Sequence, residues 1–331
     1  LTVGSGAAGT INHGGIGDVI GSNLTVGGGS TGRYTHNNAG ALVSLSGQLT
    51  VASGSRYDLL NGTLQVGSGG VTTNNGSFSQ SGGRAILQDV RGNGRMDITG
   101  TASLTVNRIR QGFLNIEDTA RIFTVSNGGT AGLSRVETLF FEDFENMGFF
   151  GRWDLNNNDL VIDSDTATQA DEYDRTRRYI KSGFANGSWN GTGLNSSAAL
   201  AASATPDRAG LGYARAVDVL TFSGGTASFV GQTVDDTTVL VRYTLLGDST
   251  LNGTTDLGDF ALMASNFNTP GDWYHGDYNY DFTVNLDDFS FLAINFNKSL
   301  PADLPRGAAV PEPMTLAPLA LLWAGRRRRR G

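Results

Sequence analysis

A triplet of Leu, a polar residue and Val recurs through the first part of this chain: Leu-Thr-Val starts at Leu1, Leu24, Leu49 and Leu104, and Leu-Gln-Val at Leu64. Apolar, polar, apolar is the two-residue period of a strand, with Leu and Val turned inward and Thr facing solvent. The steps from Leu1 to Leu24 and from Leu24 to Leu49, 23 and 25 residues, suit one coil of a parallel β-solenoid, where each coil buries its apolar residues against its neighbours. Most copies run into Gly/Ser-rich stretches such as Gly27 to Gly32 and Gly67 to Gly70, and Gly makes up 47 of 331 residues, about twice the average share. Sharp corners explain that usage. Unstructured low-complexity sequence would also be rich in Gly, but it would lack the inward Leu/Val pairs. Residues 1–146 are therefore predicted to be glycine-rich solenoid repeats. The chain begins at Leu1 with no charged n-region or apolar h-region after it, so a start missing from this sequence is expected.

Residues 147–246 follow different rules and read as a small mixed α/β connector. Trp153, Leu155, Leu160 and Ile162 flank Asn156 to Asp159, which predicts a hairpin. With one carboxylate and no acid at the twelfth position from Asp154, that segment reads as a turn and not as a cation loop. A helix is expected next, with Asp171 and Glu172 in its first turn and Tyr173 and Ile180 on its apolar face. Arg177, Arg178 and Lys181 fall in its last turn, and Gly183 stops it. Val239, Val241, Tyr243 and Leu245 alternate as a last strand.

The next stretch is a duplication. Gly247 to Phe260 and Gly276 to Phe289 share one fourteen-residue pattern, and Asp248, Asn252, Asp259, Phe260, Phe267 and Asn268 recur 29 positions later as Asp277, Asp281, Asp288, Phe289, Phe296 and Asn297. Short oxygen-bearing side chains stand at loop positions one, three, five, nine and twelve, the pattern with which an EF-hand-type loop encircles a hard cation. The first loop offers Asp248, Thr250, Asn252, the carbonyl of Thr254, Asp256 and Asp259. The second offers Asp277, Asn279, Asp281, the carbonyl of Thr283, Asn285 and Asp288. Between Gly247 and Asn297 there are eight Asp and no Lys or Arg, so a bound cation would relieve the repulsion among them. Two Ca2+ sites are expected. Phe260, Met263 and Phe267 after the first loop, and Phe289, Leu292 and Phe296 after the second, are spaced to build one helical face each.

A loop followed by one helix, given twice, resembles the type I dockerin module, and the resemblance covers residues 247–298. It implies two calcium ions and a helical surface for a cohesin-like partner. Thr250 stands where Asp or Asn is usual, and Phe282 where Gly normally supplies a left-handed turn, so unequal, weaker sites are expected. Positions ten and eleven are Leu257 with Gly258 and Leu286 with Asp287 instead of the Ser-Thr pair that often helps to choose the cohesin.

After a linker at 299–309, Val310 to Pro313 precede an apolar run from Met314 to Gly325 and then five arginines, Arg326, Arg327, Arg328, Arg329 and Arg330. This order, with Pro311, Glu312 and Pro313 as its core, resembles the PEP-CTERM sorting signal of exported bacterial proteins. The resemblance implies a C-terminal sorting helix, processing by an exosortase-type enzyme, and placement in the cell envelope, cell surface or extracellular matrix. The apolar run can enter a bilayer while the arginines stay on the cytoplasmic side. At about twelve residues, and with Pro318 inside it, it suits transient insertion better than a permanent span. Residues 1–146 are similar to the glycine-rich strand repeats of PEP-CTERM and autotransporter-associated surface proteins.

Net charge is −7, and −12 without the five tail arginines. That balance argues against a nucleic-acid partner. There is no Cys, which excludes disulfides and thiolate chemistry. His13, His36 and His275 stand apart with no nucleophile-and-base pattern near them, and adjacent acids such as Glu142 with Asp143 or Asp235 with Asp236 are ordinary on solvated turns. The fold class expected is mainly β: a parallel β-solenoid, a small α+β connector, a helical dockerin-like pair of calcium loops, and a sorting helix. The function expected is a non-catalytic, exported surface or matrix scaffold or adhesion protein, with a cohesin-like protein or a surface glycan as partner. The alternative is an extracellular polysaccharide-degrading glycoside hydrolase or lyase, or a cellulosome-like subunit, whose catalytic part lies upstream or in the β-helix. Carboxylates, arginines and exposed aromatics along one solenoid face would favour that alternative; Thr, Ser and Asn alone would favour the scaffold.

Overall fold

The computed structural model describes residues 1–144 and 148–300. The linker from residue 301 and the sorting segment, with Pro311 to Pro313 and Arg326 to Arg330, lie outside the described residues. The described chain is mainly β, dominated by a large and mostly parallel sheet.

The parallel strands stack as rungs on three faces of a solenoid-like body. The first face carries an inward column of Tyr34, Tyr57, Phe78, Met96, Leu114 and Leu139. The second carries Val43, Leu64, Ala85, Leu104, Ile122, Trp153 and Leu194. The third carries Leu24, Leu49, Thr72, Val90 and Ile109. Every one of these residues is buried, as a core one coil wide requires. The Leu-x-Val copies do not share one column. Those at Leu1, Leu24 and Leu49 lie on the third face, whereas Leu64 and Leu104 lie on the second. The triplet marks any strand with two inward apolar residues, and it loses a fixed spacing because the coil shortens from 25 residues at Leu24↔Leu49 to 18 at Ser103↔Arg121. Glycines stack at the corner that enters the first face: a Cβ on Gly94 would sit 2.4 Å from the Gly76 carbonyl oxygen.

The parallel ladder does not stop at residue 146. Arg152–Asp154 pairs with Arg121–Thr124 and with Gly193–Asn195, while Leu160–Ile162 pairs with Ser134–Phe141. The hairpin expected around Asn156 to Asp159 is therefore not formed, because its two strands belong to different faces. The segment is a solenoid corner, clamped by Asn158, whose amide donates to Val125 O and Leu155 O and whose Oδ1 accepts from Asn127 N and Gly128 N. Val239–Leu245 then runs antiparallel between Leu160–Ile162 and Ala209–Arg215. That antiparallel addition covers a sheet edge that would otherwise present unpaired backbone groups.

The connector helix runs Gln169–Phe184, with Asp171 and Glu172 in its first turn and Ile180 buried. Gly183 lies inside it, not beyond it, and serves close approach: a Cβ there would be 1.8 Å from Leu194 O. The left-handed residue that ends the helix is Ala185, at φ 45°.

Candidate metal centre

Each acidic loop folds around its first aspartate. Asp248 Oδ1 accepts from Asn252 N at 3.1 Å, and its Oδ2 accepts from Gly253 N at 2.8 Å and from the Thr244 hydroxyl. Asp277 repeats this, accepting from Asp281 N at 3.1 Å and Phe282 N at 2.9 Å. The twelfth-position aspartates reach back across the loops. Asp259 accepts from Thr250 N, the Thr250 hydroxyl and Asp256 N; Asp288 accepts from Tyr278 N, Asn279 N and Asn285 N. The same two residues close a capping box at the start of each helix, Leu257–Ser265 and Leu286–Asn295, with Asp256 and Asn285 as N-caps. Asn252 and Asp281 turn their side chains to the backbone N–H of Thr254 and Thr283.

Asp248, Asp259, Asp277 and Asp288 are fully buried. Burial pushes all four carboxyls up, with Asp259 reaching about 6 and Asp277 about 7; neighbouring acids add to this, Asp248 acting on Asp259, and Asp288 with Asp281 acting on Asp277. Among the described residues no loop carboxylate forms an ion pair. Among the described residues no group of three or more His, Cys, Asp or Glu is gathered as a metal site; a shell around a cation in either loop would need Asn or Thr oxygens and backbone carbonyls as well. That all-oxygen donor set is one that suits a hard cation.

The departures from the usual loop pattern have structural explanations. Phe282 adopts φ 71°, the left-handed conformation of its counterpart Gly253 at φ 88°. Its ring is held under two cations of the connector helix, with the Arg177 guanidinium 4.4 Å and the Lys181 ammonium 4.1 Å from the ring centre. Such contacts offset the strain of a side chain in that region. The second loop is thereby docked on the connector. Other bonds join the same parts: Tyr173 OH to Asp272 at 2.7 Å, Asn295 Nδ2 to Arg208 O and Leu246 O at 2.7 Å, and Tyr280 OH accepting from Leu211 N at 3.1 Å. Trp273, fully buried, donates to Asp248 O at 2.7 Å.

The pair is also closed on itself. After each helix a left-handed Asn, Asn268 at φ 60° or Asn297 at φ 59°, turns the chain toward the other loop. Asn268 N donates to Val284 O, and Asn297 N to Thr255 O, both at 2.8 Å. Recurrence of Phe-Asn at 267–268 and 296–297 was the visible trace of this exchange, whose partner only the fold reveals. The helical faces split in use. Met263 and Leu292 are buried, while Phe260, Phe267, Phe289 and Phe296 stay more than a third exposed. Phe260, Met263, Ala264, Phe267, Leu286 and Phe289 line an apolar groove of about 360 Å³ between the helices.

No protein-family model, curated protein or solved structure matches this chain.

Proposed function

We propose that this chain is an exported, non-catalytic cell-surface or matrix protein in which a dockerin-like pair of loops holds two calcium ions and the solenoid serves as stalk or adhesive body. The observation that carries this reading is the set of four buried carboxylates, Asp248, Asp259, Asp277 and Asp288, placed equivalently in two loops and forming no ion pair among the described residues. Calcium would supply the missing positive charge, and selective binding to the folded loops would stabilise them. The groove between Phe260 and Phe289 is the surface on which a cohesin-like partner would rest. The tail from Pro311 to Arg330 would direct processing by an exosortase-type enzyme after transient membrane insertion. Calorimetry with calcium should give about two sites, with Ca2+ preferred over Mg2+ because the loops offer many adaptable oxygens. The pair Asp248→Ala with Asp277→Ala should abolish both. Equal melting temperatures in chelator and in calcium would sink this reading.

One observation favours the second reading, a polysaccharide-degrading enzyme. The solvent side of the first face carries Arg33, Arg56, Asp58, Arg95, Asp97 and Phe113 in neighbouring rungs. Yet Asp58 is buried between Arg33 and Arg56, and Asp97 is paired with Arg95, which itself lies 4.2 Å above the Phe113 ring. Carboxylates neutralised in this way fit a structural ladder better than acid–base work. Turnover of a polysaccharide that disappears in Asp97→Asn would reverse the preference.

A further inference from the structure

The second face differs in charge from the rest of the solenoid. Its first solvent-facing column consists of Thr63, Arg84, Ser103, Arg121 and Arg152, in register over five successive coils. Beside it run Gln65, Ile86, Thr105, Phe123 and Asp154. Adjacent rungs are ~4.8 Å apart, so Arg121 and Arg152 project side by side, with Arg84 two rungs from Arg121. Like charges directly opposite one another destabilise a sheet.

Elsewhere most solenoid arginines are neutralised, although Arg91 and Arg110 have no ion pair among the described residues. Asp58 serves Arg33 and Arg56, Asp97 serves Arg95, Asp89 holds Arg108 through two hydrogen bonds of 2.6 and 2.7 Å, and Asp163 holds Arg135. On the second face, none of Arg84, Arg121 and Arg152 has an ion-pair partner among the described residues. The Arg152 side chain donates to the Asn190 carbonyl. Asp154, the one acid in the two columns, accepts from Asn156 N and Ser197 N at 2.8 and 2.9 Å and is held in a turn. Burial first, and then the neighbouring Arg121, lower the proton affinity of the Arg152 guanidinium, with Asp154 opposing them in part. Phe123, two residues after Arg121 and so on the same side of the strand, is 40% exposed.

We propose that this face binds an acidic polysaccharide laid along the solenoid axis, with its anionic groups at Arg84, Arg121 and Arg152 and a sugar ring against Phe123. The rung spacing is close to the length of one pyranose unit, so a regularly charged glycan can meet the column without bending. A duplex nucleic acid is disfavoured because its two-stranded phosphate array is broader and denser than this single column of arginines. The inference gives the surface or matrix reading a ligand class and rests on that reading for its extracellular setting.

The test uses the full chain with chondroitin sulfate oligosaccharides, which carry both carboxylate and sulfate, against neutral dextran and a single-stranded oligonucleotide. The sulfated glycan should bind, dextran should not, and affinity should fall between about 0.05 M and about 0.5 M salt as the screening length shrinks. The triple variant R84Q/R121Q/R152Q should bind more than about tenfold more weakly, the loss of at least one charge-assisted hydrogen bond. R33Q, which removes an arginine already paired with Asp58, should bind as before. R84Q/R121Q, which removes no side-chain hydrogen bond among the described residues, should melt at the same temperature or higher, because repulsion is removed. No binding of the glycan, unchanged binding by the triple variant, tighter binding of the oligonucleotide, or a lowered melting temperature of R84Q/R121Q would each overturn the proposal. Calcium calorimetry on the triple variant should be unchanged, so failure of the glycan site and failure of the calcium reading are separate results.

Discussion

Two tyrosines on adjacent rungs of the core should answer the same substitution with opposite signs. Tyr34 and Tyr57 stack at 5.2 Å with planes 8° apart, Tyr57 stacks on Phe78 at 5.5 Å, and all three are fully buried. The Tyr34 hydroxyl meets His13 Nδ1 at 3.1 Å. The Tyr57 hydroxyl is buried with no hydrogen-bond partner among the described residues, and burial drives its phenol well above the ordinary value. Tyr57→Phe keeps both ring contacts and deletes one desolvated, unmet hydroxyl, a gain of about 1–2 kcal/mol. Tyr34→Phe deletes a hydrogen bond that is made, a cost of about 0.5–1.5 kcal/mol. In a folded body of this size, 1 kcal/mol moves Tm by roughly 2–4 °C. Tyr57→Phe should therefore raise Tm by about 2–8 °C, and Tyr34→Phe should lower it by about 1–6 °C. Stacked coils gain stability from near neighbours, so hydrogen exchange at the amides of Arg56–Val66 gives the more local measurement. A Tyr57→Phe chain with lower Tm and weaker protection there would refute the reasoning, since the hydroxyl would then contribute more than its desolvation costs.

Two further outcomes follow from the loops and the tail. Burial raises the folded carboxyls of Asp259 to about 6 and Asp277 to about 7, above the ordinary 3.8, so the folded chain holds these protons more tightly than the unfolded one. Their stabilising effect is present below pH 3.8 and is lost as pH rises through about 6 and about 7. In chelator the loop pair should therefore melt lower at neutral pH than near pH 4, and adding calcium at neutral pH should reverse the loss; calorimetric melts that are flat with pH in chelator would contradict the burial argument. If Pro311-Glu312-Pro313 directs processing, protein recovered from the cell surface should end near or before Pro313 by intact mass, and finding Arg326 to Arg330 on that protein would point to a simple basic anchor instead.

Much of the architecture was legible because period and punctuation are local. Leu24, Val26, Leu49, Val51, Leu104 and Val106 are all buried, as the apolar-polar-apolar period required, and Gly76, Gly94 and Gly112 mark a corner that admits no side chain. The acidic loops were legible as turns for the same reason: within twelve residues the first and last aspartates each accept from different backbone N–H groups of their own loop, Asp248 from Asn252 and Asp259 from Thr250, Asp277 from Asp281 and Asp288 from Asn279. Asn156 to Asp159 misled because a turn between two short strands looks the same whether the strands pair with each other or with different rungs above and below.

What the sequence by itself determined, then, are the elements: strands of period two, glycine corners, two acidic loops each leading into a capped helix, and a basic, apolar C-terminal segment. What only the tertiary structure decided is which elements meet. Parallel pairing joins residues 18 to 41 positions apart, a distance over which no periodicity survives once coils differ in length, so the column of Arg84, Arg121 and Arg152, without ion pairs among the described residues, could not be seen in order of sequence. Phe282 under Arg177 and Lys181, and Asn297 bonded to the first loop, follow the same logic. Local chemistry chooses conformations, but burial of a shared core chooses partners, and that is a property of the whole chain.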